Sequence, residues 1–159
     1  MSQHRIPLTP EGYEKLKAEL KPLQNVERPK IIKEIATARA HGDISENAEY
    51  HAAKERQSFT EGRIQDLQVK IGRAEVIDVS KHAGDKVIFG ATVKIEDIDS
   101  GEVFCYKLVG TDEADLKENK ISVSSPIGKA LIGKSIDAEV RIQTPGGIKE
   151  FNIVDVKFA

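Results

Sequence analysis

Asp43 and Glu46 are the residues of this chain whose type and spacing carry the most chemistry. They stand three apart in His41-Gly42-Asp43-Ile44-Ser45-Glu46-Asn47-Ala48-Glu49-Tyr50, between two long stretches with helical periodicity. At a helix start that spacing projects both carboxylates the same way. One reading is a cap, in which Asp43 accepts from the Glu46 amide and Glu46 reaches back, or in which Ser45 is the cap instead. The other is a ligand pair. Hard carboxylate oxygens suit Mg²⁺, which keeps several waters and takes one or two carboxylates from a given partner. Two carboxylates hold that ion weakly, so a useful site needs further ligands from another molecule. The two readings are compatible. Acids at the end of a long arm, remote from any core, are placed to act inside something else.

Cations flank the acids: Arg39 before them, Lys54 and Arg56 after. Each is individually the kind of charge found on any solvated helix face. Clustered beside an acidic turn, they can hold a phosphate backbone while carboxylates hold a metal. Tyr50 and His51 add a stacking or hydrogen-bonding surface. His51 and Glu55 also form an i, i+4 pair that helix stabilisation explains.

The elements that position these residues follow from periodicity. Thr9-Pro10-Glu11 predicts an N-cap, a proline at the first helical position and an acid in the first turn. Tyr13, Leu16, Leu20 and Leu23 form an apolar stripe. Pro29 predicts a break near 26–28, because proline disfavours helical geometry in the residue before it. Ile31, Ile32, Ile35 and Ala38 resume the stripe to about His41, and Gly42 reads as the C′ glycine. A second helix is expected from 43–45 to about Ala74, with Ala48, Ala52, Phe59, Ile64, Leu67, Ile71 and Ala74 on its apolar face. Two arms of about 30 residues, at about 1.5 Å each, predict an antiparallel hairpin roughly 45 Å long. Small residues near its turn, Ala36, Ala38, Ala40, Ala48, Ala52 and Ala53, allow close approach there.

After Glu75 the pattern becomes β-rich, with strands expected over 76–79, 86–95, 102–109, 136–142 and 151–158. Asp99-Ser100-Gly101 and Thr144-Pro145-Gly146-Gly147 are turns. Ser125-Pro126 opens a short helix ending near Gly133. This predicts an α+β chain: an antiparallel coiled-coil hairpin over 1–76, then a small antiparallel sheet domain with one helix over 77–159. Gly128-Lys129-Ala130-Leu131-Ile132-Gly133-Lys134-Ser135 matches G-x-x-x-x-G-K-S, a phosphate-binding string. That mechanism needs a strand, then a loop, then a helix. Here the order is helix then strand, and the inner residues are apolar and helix-forming. The match is therefore read as coincidental.

The 159 residues carry a net charge of −2, about +1 through Glu75 and −3 beyond it, so any nucleic-acid contact must come from a local patch. Five Phe, three Tyr and no Trp argue against one aromatic-rich core. Cys105 is the only cysteine, which excludes an intramolecular disulfide and fits a reducing cytoplasm. Its strand-like surroundings predict a buried, inert thiol. The chain begins without the apolar stretch of a signal peptide, and no run approaches the roughly 18 apolar residues of a membrane span. The histidines and the cysteine make no zinc spacing.

The string from Gly42 to Glu55 resembles the tip signature of the bacterial Gre transcript cleavage factors, and is most similar to the GreA type. Leu8-Thr9-Pro10, Val87 to Val93, Ser124 to Gly128 and Thr144 to Gly147 share the likeness, which covers essentially the whole chain. The resemblance implies an FKBP-like C-terminal domain that docks at the rim of the RNA polymerase secondary channel. It implies that the coiled coil enters the channel and brings its tip to the catalytic centre. Asp43 and Glu46 would there help hold a second Mg²⁺, shared with the polymerase, and position water for hydrolysis of backtracked RNA. Arg39 and Lys54, with Arg56 nearby, fall at the basic patch that contacts the extruded RNA 3′ end. Ser125 and Pro126 fall in the docking segment. The implied partners are bacterial RNA polymerase and nascent RNA, with no membrane and the chain acting as a monomer. It would be an accessory factor that donates carboxylates, not a free-standing enzyme. Lys54 stands where some relatives carry Arg, and Ser45 where some carry Lys. The absence of acids at 44 and 45 separates this tip from that of an inhibitory relative. The rival readings are a stand-alone peptidyl-prolyl isomerase and a nucleotide-binding protein.

Overall fold

The structure, a computed structural model, describes residues 4–42 and 47–158. It divides into two compact units: Met1–Arg5 with Tyr13–Ala74, and Ile6–Gly12 with Glu75–Ala159. Residues 6–12, placed with the hairpin by sequence, thus belong to the second unit.

The hairpin unit contains most of α1 (Pro10–Pro22), then α2 (Arg28–Arg39) and α3 (Ala48–Arg73). The break expected before Pro29 does not occur. Leu23–Glu27 is instead one π-helical turn, and the Arg28 amide donates to the Leu23 carbonyl five residues back. Arg28 itself stays helical, at φ −58° and ψ −52°. In a regular helix the Pro29 ring would collide with the carbonyl four residues earlier, that of Asn25. A wider turn moves that carbonyl aside, so the chain bulges without breaking.

The arms are antiparallel, as the order of their cross-pairs shows. Arg63 meets Glu19 with two bonds of 2.7 and 2.8 Å, Arg28 meets Glu61 at 2.7 and 2.8 Å, and Arg56 meets Glu34 at 2.7 Å. Such exposed pairs are each worth under about 1 kcal/mol, so they mark register more than they stabilise. Burial supplies the stability: Ile31 and Ala38 on α2 pack in a seam with Ala53, Ile64 and Leu67 on α3. Phe59, expected in that seam, is 82% exposed. At helical spacing it points away from the side of α3 that carries Ala53, Ile64 and Leu67.

The second unit holds a two-stranded sheet of β1 (Ile6–Leu8) and β2 (Ala74–Val76), and a five-stranded sheet ordered β5-β4-β3-β7-β6. Its strands are β3 (Thr92–Asp97), β4 (Val103–Val109), β5 (Lys120–Ser122), β6 (Glu139–Thr144) and β7 (Gly147–Lys157). Four run antiparallel to their neighbours, and β5 adds one parallel pairing, with β4. The sequence reading missed β1 and β5, each only three residues long. It also began β3 too early. Residues 86–91 precede the strand: Lys86 bridges to Ser135, Val87 bonds to Gly133 and Lys134, and Gly90 and Ala91 reach the sheet through backbone bonds to Leu108 of β4. One face of the sheet buries Val93, Ile95, Leu108 and Ile153 against Val87 and against Leu131 of α4 (Pro126–Leu131). Cys105 lies on the opposite face of β4 and is exposed, not buried as expected.

Candidate functional site

The turn between α2 and α3 is built from its flanks. α2 ends at Arg39, with Ala40 as its C-cap and the His41 amide donating to the Ala38 carbonyl. Gly42 follows at φ +118°, so the glycine falls two residues beyond the cap. α3 starts at Ala48, later than expected, because Asn47 is its N-cap. The Asn47 Oδ1 accepts from the Tyr50 amide at 3.0 Å, and its Nδ2 donates to the Ala38 carbonyl at 2.6 Å. One side chain thus caps the second arm and ties it to the last turn of the first. Residues 43–46, and with them Asp43 and Glu46, lie outside the described residues. Among the described residues no group of three or more His, Cys, Asp or Glu is placed to hold a metal.

The three candidate cations do not share one face. Arg39 lies 6.0 Å from the centre of the Tyr50 ring, a cation–π distance. Lys54 donates to Gln57 Oε1 at 3.1 Å. Residues 50, 54 and 57 fall on one side of α3 at helical spacing. Arg56 lies on the other side, held to Glu34 across the hairpin and lining a groove with Lys30, Lys33, Glu49 and Ala52. His41 Nδ1 is 3.5 Å from Glu49 at the same end. Tyr50 and His51 meet edge to face at 5.6 Å.

In the second unit, Ser125 is the N-cap of α4 and Pro126 its first residue, as expected. The Ser125 hydroxyl accepts from the Gly128 amide at 3.0 Å and donates to the Ser122 carbonyl at 2.6 Å. A Cβ on Gly128 would stand 2.2 Å from that same carbonyl. Glycine is what lets α4 sit this close to β5.

These bonds also dispose of the phosphate-binding reading. The Gly128 and Lys129 amides donate to Ser125, Ile132 to Gly128, Gly133 to Val87, and Lys134 to Leu131. Backbone donors that would cradle a phosphate are already engaged. Phe104 stacks on Tyr106 at 5.9 Å and meets Phe151 edge to face at 6.2 Å, all three packed on or within the core. Neither rival function has support.

Comparison with known proteins decides the family. A family model described as "Transcription elongation factor, N-terminal" matches residues 6–76, and one described as "Transcription elongation factor, GreA/GreB, C-term" matches 81–158. The chain belongs to the GreA/GreB family of transcription elongation factors. It is 60% identical to a transcription elongation factor GreA of Anaeromyxobacter sp. (strain K), over 97% of this chain and 93% of that protein. It is 60% identical to the GreA of Thermodesulfovibrio yellowstonii, over 97% and 98%. A crystal structure of GreA factor homolog 1 of Thermus thermophilus is 29% identical over 97% of this chain and 99% of that one, with a TM-score of 0.45. The GreA/GreB match covers both units, and its two models meet near the division at Ala74. Among the described residues no helix is long and apolar enough to cross a membrane.

Proposed function

We propose that this chain is an accessory factor of bacterial RNA polymerase, working in the cytoplasm, that stimulates hydrolysis of backtracked RNA 3′ ends by the polymerase. The hairpin is the part that enters the secondary channel, and the sheet domain is the part that docks, through the segment at Ser125 and Pro126. Asp43 and Glu46 donate their carboxylates inside the polymerase and do not form a free-standing active site.

The observation that carries this reading is the position of the GreA/GreB tip string. It begins at Gly42, in the connection between Arg39 and Ala48, and runs into the first turns of α3, at the end of two arms cross-paired along their length. The donor chemistry fits Mg²⁺. Two carboxylates are hard oxygen ligands, too few for a tight site alone and the right number to share an ion with a partner. When bound, the metal supplies Lewis-acid stabilisation of the attacking and leaving oxygens. The chain's own residues do the rest. The carboxylates orient water, the channel raises effective concentration, and Arg39 and Lys54 hold the extruded strand by charge.

The test is a cleavage assay on stalled elongation complexes with Asp43→Asn and Glu46→Gln chains, beside a competition assay for polymerase binding. Loss of stimulated cleavage with binding retained is the expected result. Full cleavage by Asp43→Asn would overturn the assignment.

A further inference from the structure

Asn47 uses both ends of one amide, and only one end is needed for a cap. Its Oδ1 accepts from the Tyr50 amide in the first turn of α3, a task that Ser, Thr or Asp performs as well. Its Nδ2 donates to the Ala38 carbonyl at 2.6 Å. That second bond needs a separate donor atom, which among the good capping side chains only Asn carries. The two partners also settle the orientation of the amide, since a backbone N–H requires the oxygen and a carbonyl requires the nitrogen. Ala38 is buried in the seam between the arms, in the last turn of α2, where backbone acceptors run out of helical partners. The bond spans nine positions of chain, and Asp43 and Glu46 lie between its two ends.

We propose that Asn47 is a positioning residue for the metal-binding carboxylates: its bond to the Ala38 carbonyl sets how much Mg²⁺ stimulated cleavage requires. The inference rests on the proposed function and deepens it. Two carboxylates hold Mg²⁺ weakly, so the affinity of the shared site depends on how much freedom the segment bearing them has already lost. The Nδ2 bond fixes the two ends of that segment before any ion arrives. Without it the same ligands remain, and the same complex forms once Mg²⁺ is in excess. The concentration for half-maximal cleavage therefore moves, and the rate at saturation does not. A cap alone has no such signature.

The experiment compares Asn47→Ser and Asn47→Asp with the parent. Both variants keep an oxygen for the Tyr50 amide, and both lose the donor to Ala38. Amide hydrogen exchange of the free chain should be unchanged at Tyr50 and faster at His41, beside the lost bond. In stalled elongation complexes the Mg²⁺ midpoint should rise about fivefold, the scale of one intramolecular hydrogen bond. Polymerase binding, read by competition, should hold, as should the rate at saturating Mg²⁺. Asn47→Asp is the stricter variant and decides the matter should Asn47→Ser fray α3. Its added carboxylate by itself draws Mg²⁺ in, so a raised midpoint there comes from the lost bond and not from charge. A midpoint unmoved or lowered in Asn47→Asp would overturn the proposal. So would unchanged exchange at His41, or a fall in the saturated rate with the midpoint unmoved. A parent chain that stimulates no cleavage at any Mg²⁺ concentration would sink the proposed function itself. A parent that cleaves, with variants that match its midpoint, would sink only this inference.

Discussion

The Thr9 hydroxyl donates to the carboxylate of Glu113, across 104 residues of chain. The other Glu113 oxygen accepts from the Thr9 amide at 3.1 Å and from the Gly110 amide at 3.1 Å. Thr9 also accepts from the Gly12 amide at 3.1 Å, capping the first turn of α1. One carboxylate in a 3₁₀ turn after β4 therefore anchors the chain between β1 and α1. Removing it orphans several donors at once. Glu113→Ala should destabilise the protein by about 3 kcal/mol in chemical denaturation. Glu113→Gln, which keeps one acceptor, should recover part of that.

Gly128 tests the close approach of α4. Glycine to alanine inside a helix is ordinarily stabilising by about 1 kcal/mol. Here the new methyl would meet a backbone oxygen, which cannot swing away. Gly128→Ala should instead destabilise by about 2 kcal/mol or more. It should also weaken polymerase binding if Ser125 and Pro126 form the docking segment. Circular-dichroism melting and a binding competition measure the two effects.

Asn47 makes a sharper test of the turn than any acid does. Asn47→Ala loses the cap on Tyr50 and the bond to the Ala38 carbonyl together. The expected cost is about 1–2 kcal/mol of hairpin stability. Amide hydrogen exchange should rise at the start of α3 and the end of α2, and stimulated cleavage should fall even though both tip acids remain.

Acid should loosen the hairpin before the sheet. The Arg63 guanidinium holds the Glu19 carboxyl below its ordinary range, and Arg28 does the same for Glu61. Because the folded values are depressed, their contribution is present above the unfolded value of about 4.3 and is lost as pH falls through the folded values. Helical melting temperature should drop modestly from about pH 4.5 downward. An Arg28→Ala/Arg63→Ala chain should show a flatter pH profile, and so should the parent in high salt.

Lys134 belongs to a phosphate-binding string only in spelling. Lys134→Ala should leave cleavage nearly intact, and neither it nor the parent should bind ATP in a titration.

What was legible in the sequence was what short-range physics dictates. The Thr9-Pro10 start, the Ser125-Pro126 start, the β6–β7 turn at Pro145-Gly146 and the two arms all carry their own capping or turn chemistry. What was not legible depends on partners distant in the chain. β1 and β5 are three residues each, too short for a pattern, and exist because other strands offer free edges. Phe59 reads as apolar by type, but at helical spacing it points away from the seam of Ala53, Ile64 and Leu67. Cys105 sits in a convincing strand, yet on the face of β4 opposite Leu108, where it is exposed. At the site, the string containing Asp43 and Glu46 announced itself. The division of the cations into two faces did not, because it depends on which side of α3 faces α2.

The π turn at Leu23–Glu27 has a consequence for phase. Leu16, Leu20 and Leu23 step by four and three, and the same alternation carried onward would reach 27, 30, 34 and 37. Those positions hold Glu27, Lys30, Glu34 and Thr37, all polar. The apolar residues actually come one place late, at Ile31, Ile35 and Ala38. The π turn takes up that supernumerary residue, so the seam arrives on the partner-facing side after the skip. The arm is thus two in-phase segments joined by a one-residue stutter. Proline at 29 sets where the stutter falls, and which side chains of α2 look outward toward anything that lies along it.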